Sequence, residues 1–340
     1  MSPRVLVIGA GAIGGVLASG LIRAGVNVTA LEANRKHAVA ISGEGLHVDE
    51  LGVAHRTRIP SACAVCELSG QFDFGLITLK SIFIEDAVGP LVAGKRVQTY
   101  VSLGNGLVQG RIAALTGAES LVVGTVEWGA TNIGPGVVAQ TTRAPIVVGE
   151  SSGVDSDRLQ RLAGILQGSS EVRVSSNIYG QVWSKLLLNS ALSGLGAISG
   201  LIYAEIVGDK TGQALALELW SEGVCVAEAC GISLEEVAGM DPYRPVVSAA
   251  NSKQEAGAAL EELMVRLGPT RASMLQDLDR GVLTEVDVIN GGVVACGASV
   301  GIQAPLNEGI VKMVHECELG IRKPEISNLH ELRERLLRNE

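Results

Sequence analysis

Two stretches of the chain carry residue types whose spacing could do chemistry, and they lie far apart. Near the start, Gly9-Ala10-Gly11-Ala12-Ile13-Gly14 follows a run of branched apolar residues and precedes an apolar helical stretch that ends at Gly25. Strand, glycine turn and helix in that order make a phosphate-binding unit. Gly9 permits the tight exit from the strand, Gly11 lets backbone approach a pyrophosphate, and Gly14 lets the helix pack close to the sheet. Ala12 and Ile13 open that helix, whose free N–H groups and positive dipole end face the phosphates. Glu32, at the end of the next apolar run, is placed to accept hydrogen bonds from an adenosine ribose. Dinucleotide binding is the chemistry expected of this stretch.

The second stretch, residues 181–198, is apolar apart from Lys185, Asn189 and Ser193, which are four apart and so form one narrow stripe on a helix. An ordinary amphipathic helix has a broad charged face. A single lysine with two neutral hydrogen-bonding groups suits a helix lining a wet cleft, and the competing reading is a lysine snorkelling from the edge of a packed face. Further on come Ser273-Met274-Leu275-Gln276-Asp277 and Thr284-Glu285-Val286-Asp287, followed by Asn290-Gly291-Gly292. Thr284 can cap a following helix while Glu285 and Asp287 favour its positive end, so capping alone would account for the acidic pair.

The elements that must position these residues divide the chain in two. Residues 4–8, 26–31, 74–79 and 97–103 are continuous apolar runs typical of strands covered on both faces, and residues 121–126, 136–141, 145–149 and 171–174 read as further strands, partly antiparallel. Residues 45–59 alternate as one or two peripheral strands. In a parallel sheet the strand ends that lead into helices share one rim with the glycine loop, which puts Lys80 and Asn105 beside the bound cofactor. Beyond residue 175 strand signals largely vanish, and apolar positions three and four apart fill 179–198, 212–230, 244–266, 284–300 and 306–319. The expected fold is α/β: a Rossmann-type dinucleotide-binding domain over 1–175, then an all-helical substrate and dimerisation domain over 176–340.

Composition narrows the function classes. A chain of 340 residues suits two domains, and a net charge of −9 offers no footprint for nucleic acid or an anionic membrane surface. The N-terminal apolar run breaks into glycines at once, unlike a signal peptide, and no segment approaches a spanning helix, so the expected location is cytoplasmic. Six scattered cysteines read as reduced residues. Cys63-Ala64-Val65-Cys66 is a lone C-x-x-C with no second pair, and no metal site is expected there or elsewhere.

Taken together, the glycine loop, Lys80, Asn105-Gly106, Trp183-Ser184-Lys185 with Asn189, the 273–277 run and Thr284-Glu285-Val286-Asp287 with Ile289-Asn290-Gly291 resemble the ketopantoate (2-dehydropantoate) reductase family over nearly the whole chain. The resemblance implies a nicotinamide-dependent reductase of 2-oxo acids, running in reverse as a D-2-hydroxy acid dehydrogenase. It implies Lys185 as general acid and Glu285 as its companion, with Asn105, Asn189 and Ser273 as substrate contacts. It also implies a homodimer through the helical domain. Reducing a 2-oxo acid develops negative charge on the carbonyl oxygen, where a lysine can supply both charge and proton.

This chain departs from the family in two places. The family usually carries two more asparagines on the substrate side, where spacing puts Ser193 and, nearby, Tyr203. Ser193 is thereby a candidate substrate contact, and ketopantoate is expected to be a poor substrate. The family's arginine after the second strand, which holds the 2′-phosphate of NADP, is missing. The chain has Glu32-Ala33-Asn34 with Arg35 and Lys36 slightly further on, so NAD is expected, with NADP as the alternative. Other readings fit less well. No tyrosine is followed four residues later by lysine, as short-chain dehydrogenases need, and only His315 and His330 serve lactate-type chemistry in the second half. A β-hydroxyacid dehydrogenase of the 6-phosphogluconate type shares Lys-x-x-x-Asn. A non-catalytic NAD(P)-binding redox sensor would have no reason to keep Lys185, Asn189 and Glu285 together.

Overall fold

The computed structural model describes residues 3–337. It divides into two compact units, Met1–Ile178 and Tyr179–Glu340. In the N-terminal unit the elements run β1 (Arg4–Ile8), α1 (Ala12–Arg23), β2 (Asn27–Leu31), α2 (Arg35–Ala40), β3 (Leu46–Glu50), β4 (Val53–Thr57), β5 (Ser61–Ala62), β6 (Phe72–Ile77), α3 (Ile84–Ala93), β7 (Val97–Ser102) and α4 (Gln109–Thr116). They continue with β8 (Leu121–Val126), β9 (Ala130–Gly134), β10 (Val137–Gln140), β11 (Ile146–Glu150), α5 (Asp157–Leu166) and β12 (Val172–Val174).

Eight strands form one sheet in the order β12-β11-β8-β7-β6-β1-β2-β5. It is parallel except where β11 runs against β8. Ile8 pairs with both Leu31 and Ile77, and Ile77 pairs with Ser102, so β1, β2, β6 and β7 end in register on one rim. The alternating residues 45–59 become the β3–β4 hairpin of a separate four-stranded sheet, order β4-β3-β10-β9. This second sheet explains why α1 is apolar on every side. Residues 14–21 are all buried, and Val16, Leu17 and Leu21 share one core with Val7 and Leu76 of the large sheet and with Leu46, Val48 and Val138 of the small one. A helix covered on two faces has no solvent stripe.

The C-terminal unit is helical: α6 (Ile178–Leu188), α7 (Gly194–Ser199), α8 (Tyr203–Gly208), α9 (Lys210–Ala229), α10 (Arg244–Asn251), α11 (Lys253–Leu267), α12 (Ser273–Asp279), α13 (Asn290–Ser299), α14 (Pro305–Glu318) and α15 (Ser327–Leu337). Three expected helices differ. The 244–266 stretch is split at Ser252, whose extended backbone ends α10 and whose side chain caps α11. The 179–198 helix is broken by a π-helical turn, Asn189–Ser193, between α6 and α7. The 284–300 helix begins only at Asn290, after a turn. Thr284 Oγ1 accepts the Val286 N–H at 3.2 Å, so it caps that turn and not the helix.

Candidate active site

The candidate residues of the N-terminal unit are assembled on the sheet rim. Gly9 leaves β1 with φ +92°, and a Cβ there would lie 2.8 Å from Leu79 Cβ. Only glycine takes that backbone conformation without strain. At Gly14 a Cβ would fall 2.0 Å from the Gly9 carbonyl oxygen and 2.4 Å from Thr78 Oγ1. Gly11 differs, because a Cβ there would meet nothing within 4 Å. Protein packing therefore gives no reason for its missing side chain, and the open room lies over the uncapped N-terminus of α1, whose first turn holds no acidic residue. Free N–H groups, a positive helix end and open space fit the pyrophosphate of a dinucleotide.

Glu32 closes the loop from the β2 side. One carboxylate oxygen accepts the Ala10 N–H and the other the Asn34 N–H, both at 2.9 Å. Its charge is thereby fixed at the strand end, with lone pairs left for a ribose. Two residues that the sequence reading missed complete the support. Thr78 donates its hydroxyl to the Gly9 carbonyl at 2.6 Å. His37, only 3% exposed, accepts the Gly136 N–H at Nδ1 (3.1 Å) and donates from Nε2 to the Ala10 carbonyl (2.8 Å). Those partners suit the neutral ring with its hydrogen on Nε2. The glycine loop is so tied to α2 and to the small sheet. No signal at Asn34-Arg35-Lys36-His37 reveals this: Asn34, Arg35 and Lys36 stay exposed, and His37 alone is buried, against backbone partners that only the fold supplies. Lys80 and Asn105 follow β6 and β7 on the same rim, both partly exposed.

In the C-terminal unit, the stripe on α6 is real but displaced. Gln181, Lys185 and Asn189 are partly exposed on a helix whose other positions are mostly buried, whereas Ser193 is fully buried. The chain passes through the π-helical turn into α7, every residue of which is buried, and this takes Ser193 inside. The Tyr203 phenol faces the Ser193 hydroxyl, short of a well-formed hydrogen bond, and burial pushes its pKa up to about 12.

A π-helical turn frees a backbone carbonyl from the regular ladder, and such turns recur at functional sites. Here the Ser190 carbonyl accepts from Asn290 Nδ2 at 2.9 Å, and the same amide donates to Asn307 Oδ1 at 2.9 Å. Asn307 in turn donates its side-chain and backbone N–H groups to Glu222 at 2.8 and 3.0 Å. Burial raises the Glu222 pKa against these hydrogen bonds. Asn290, into which the Glu285 turn leads, is thereby held against the π-helical turn that begins at Asn189. Ser273 is exposed at the first position of α12, which starts against α7, where a Cβ at Gly196 would lie 2.8 Å from Ala272 Cβ. Asn290 is thus bonded to the π-helical turn, and the residue before Ser273 packs on α7, within the one unit that also carries Lys185 and Glu285. Among the described residues no group of three or more His, Cys, Asp or Glu is arranged to hold a metal ion. Cys63 precedes a short 3₁₀ turn, Val65–Glu67, and Cys66 lies inside it, both as free thiols.

Residues 5–153 match the model of ketopantoate reductase PanE/ApbA, and residues 177–318 match that of its C-terminal domain. The chain belongs to the ketopantoate reductase family. With that family it is a nicotinamide-linked oxidoreductase of 2-oxo acids. The 2-dehydropantoate 2-reductase of Mesorhizobium japonicum is 26% identical over 336 residues, covering 92% of this chain and 96% of that one. The corresponding enzyme of Halobacterium salinarum is also 26% identical, over 92% and 97%. Among solved structures, the ketopantoate reductase of Ralstonia eutropha aligns at a TM-score of 0.78 with 25% identity, over 93% of this chain and 98% of that one. D-mandelate dehydrogenase, solved with NADH and anilino(oxo)acetate, shares the fold at a TM-score of 0.80 and 23% identity, over 93% and 99%.

Proposed function

We propose that this family member uses NADH to reduce a bulky or apolar 2-oxo acid, with Lys185 as the general acid. The observation that supports this best is that Lys185 on α6 and Asn189, first in the π-helical turn that follows, stay partly open on a mostly buried helical segment. When bound, the nicotinamide cofactor supplies a hydride to the carbonyl carbon. Lys185 Nζ gives its proton to the carbonyl oxygen, where negative charge develops, and so lowers the barrier as both cation and acid. Glu285 is its charged companion. Asn105, Asn189 and Ser273 are neutral donors that hold the substrate without adding another charge.

Gly9, Gly11, Ala12, Ile13 and Gly14 cradle the cofactor's phosphates in this reading, Glu32 receives the ribose hydroxyls, and Lys80 and Asn105 flank the cofactor on the rim. Ser193 and Tyr203 face each other in place of two amides, which supports a pocket poor for ketopantoate. The division of roles, with dinucleotide binding before residue 175 and substrate binding and dimerisation after it, belongs to the same proposal. So do a homodimeric assembly and a cytoplasmic location. Among the described residues no helix is long and apolar enough to cross a membrane.

The test is loss of NADH absorbance with a panel of 2-oxo acids, each assayed with NADH and NADPH. Substrate-dependent turnover that is faster with NADH is expected. A chain that binds NADH tightly yet consumes it with no member of the panel would be a sensor, and the reading would fail.

A further inference from the structure

Glu318 stands where local physics disfavours it. It lies in the last turn of α14, at the negative end of the helix dipole, with only 7% of its side chain exposed. Its partners lie outside that helix turn as well as in it. One oxygen accepts the Thr284 N–H at 2.7 Å, and the other faces His315 Nδ1 at 2.7 Å. The opposite nitrogen of that ring, Nε2, faces Asp287 Oδ1 at 2.9 Å. Ionised carboxylates only accept, so a ring between two of them is satisfied with hydrogen on both nitrogens.

One turn of α14 therefore grips both ends of the 284–287 segment, and Glu285 sits between the two grips. Thr284 Oγ1 closes the segment from within on the Val286 N–H, and the Glu285 carbonyl accepts the N–H groups of Val288 and Ile289 at 3.2 and 3.1 Å. The segment is not helical, so no regular backbone ladder runs through it.

We propose that Glu318, with His315, is a positioning residue for Glu285, acting through the Thr284 N–H and the Asp287 carboxylate. The proposal rests on the reading of Glu285 as a participant in the reaction. Neither residue is assigned a contact with substrate. They fix where the Glu285 backbone lies, and a reacting group misplaced by about 1 Å loses on the order of 10²-fold in rate.

A double-mutant cycle tests it, with kcat/KM measured for NADH and phenylglyoxylate, or ketopantoate if that turns over faster. Glu285→Gln alone is expected to lower kcat/KM. Glu318→Ala is expected to lower it about 10²-fold in the parent and to add nothing in the Glu285→Gln background, with NADH affinity unchanged throughout. Glu318→Gln keeps an acceptor for the Thr284 N–H and is expected to recover most of the loss. Should Glu318→Ala fail to fold, His315→Ala gives the same test, since that side chain is 41% exposed. It is expected to cause a smaller loss that again disappears in the Glu285→Gln background. Equal losses in both backgrounds would mean that Glu318 and His315 act independently of Glu285, overturning the proposal. Wild-type activity of Glu285→Gln would instead remove the reading of Glu285, and the proposal with it.

Discussion

At the scale of single residues, the proposed chemistry rests on one lysine and one glutamate. Replacing Lys185 by alanine is expected to lower kcat by about 10²- to 10⁴-fold, the usual worth of a general acid, while NADH affinity stays nearly constant. Near wild-type turnover would take Lys185 out of the mechanism. In the proposed reading Glu32 sets the cofactor preference. A 2′-phosphate beside its carboxylate would set like charges together, at about 1 kcal/mol per pair 4 Å apart in water and up to about 4 at an effective dielectric of 20. NADH is therefore expected to have the higher kcat/KM. Glu32→Ala should raise the NADPH-to-NADH ratio of kcat/KM, and it should also weaken NADH binding because the Ala10 and Asn34 N–H groups lose their acceptor. A parent enzyme favouring NADPH tenfold would mean that Arg35 or Lys36, both exposed at the start of α2, reads the ribose. Lys185 and Glu32 stand out in the sequence as candidates by their spacing, whereas Glu285 does so only through the family resemblance, since capping alone would account for it. His37 and Thr78 do not stand out, because their partners are backbone carbonyls that only the fold supplies.

At the scale of elements, two predictions separate packing from charge. Gly14→Ala places a methyl against the Gly9 carbonyl and Thr78 Oγ1, both backed by the sheet. Overpacking of this kind costs about 1–3 kcal/mol, so a lower Tm and weaker NADH binding are expected together; an unchanged Tm would mean that the strand–helix contact is looser than the structure has it. The grip at the end of α14 responds to pH. Burial disfavours charge on His315, but its hydrogen bonds to Glu318 and Asp287 outweigh that and raise its pKa above the ordinary 6.5. A raised histidine pKa means that the folded state holds the proton more tightly. The stabilisation is thus fully present below about pH 6.5 and lost as pH rises through the raised value. Glu318 shifts the other way: burial opposes its charge, yet the Thr284 and His315 hydrogen bonds outweigh it and lower the pKa, so its contribution fades only in acid. The difference in Tm between the parent and His315→Ala should narrow from pH 6 to pH 9. A constant difference would mean that the ring carries no extra proton in the folded state.

At the scale of the whole molecule, the expectation concerns substrate choice. A site that has lost a hydrogen-bonding partner discriminates against the substrate built for it by roughly 10²-fold or more. Ser193 is turned inward to Tyr203, so ketopantoate should rank below bulkier or more apolar 2-oxo acids in kcat/KM. Finding ketopantoate at the top of the panel would make the two substitutions neutral.

The sequence by itself determined the strand, glycine turn and helix, the register of strand ends that gathers Glu32, Lys80 and Asn105 on one rim, and the change to helices near residue 175. These follow from periodicity and from residues with one steric use, which are local properties. Only the tertiary structure decided that residues 45–59 join β9 and β10 in a second sheet over α1, because the pairing of β3 with β10 spans some ninety positions and leaves no local mark. It also decided that the helix carrying Lys185 breaks into a π-helical turn at Asn189. That turn is stable where the Ser190 carbonyl finds the buried amide of Asn290, a hundred residues away in the chain. Alternation and helical spacing record which side of an element is buried, not what buries it.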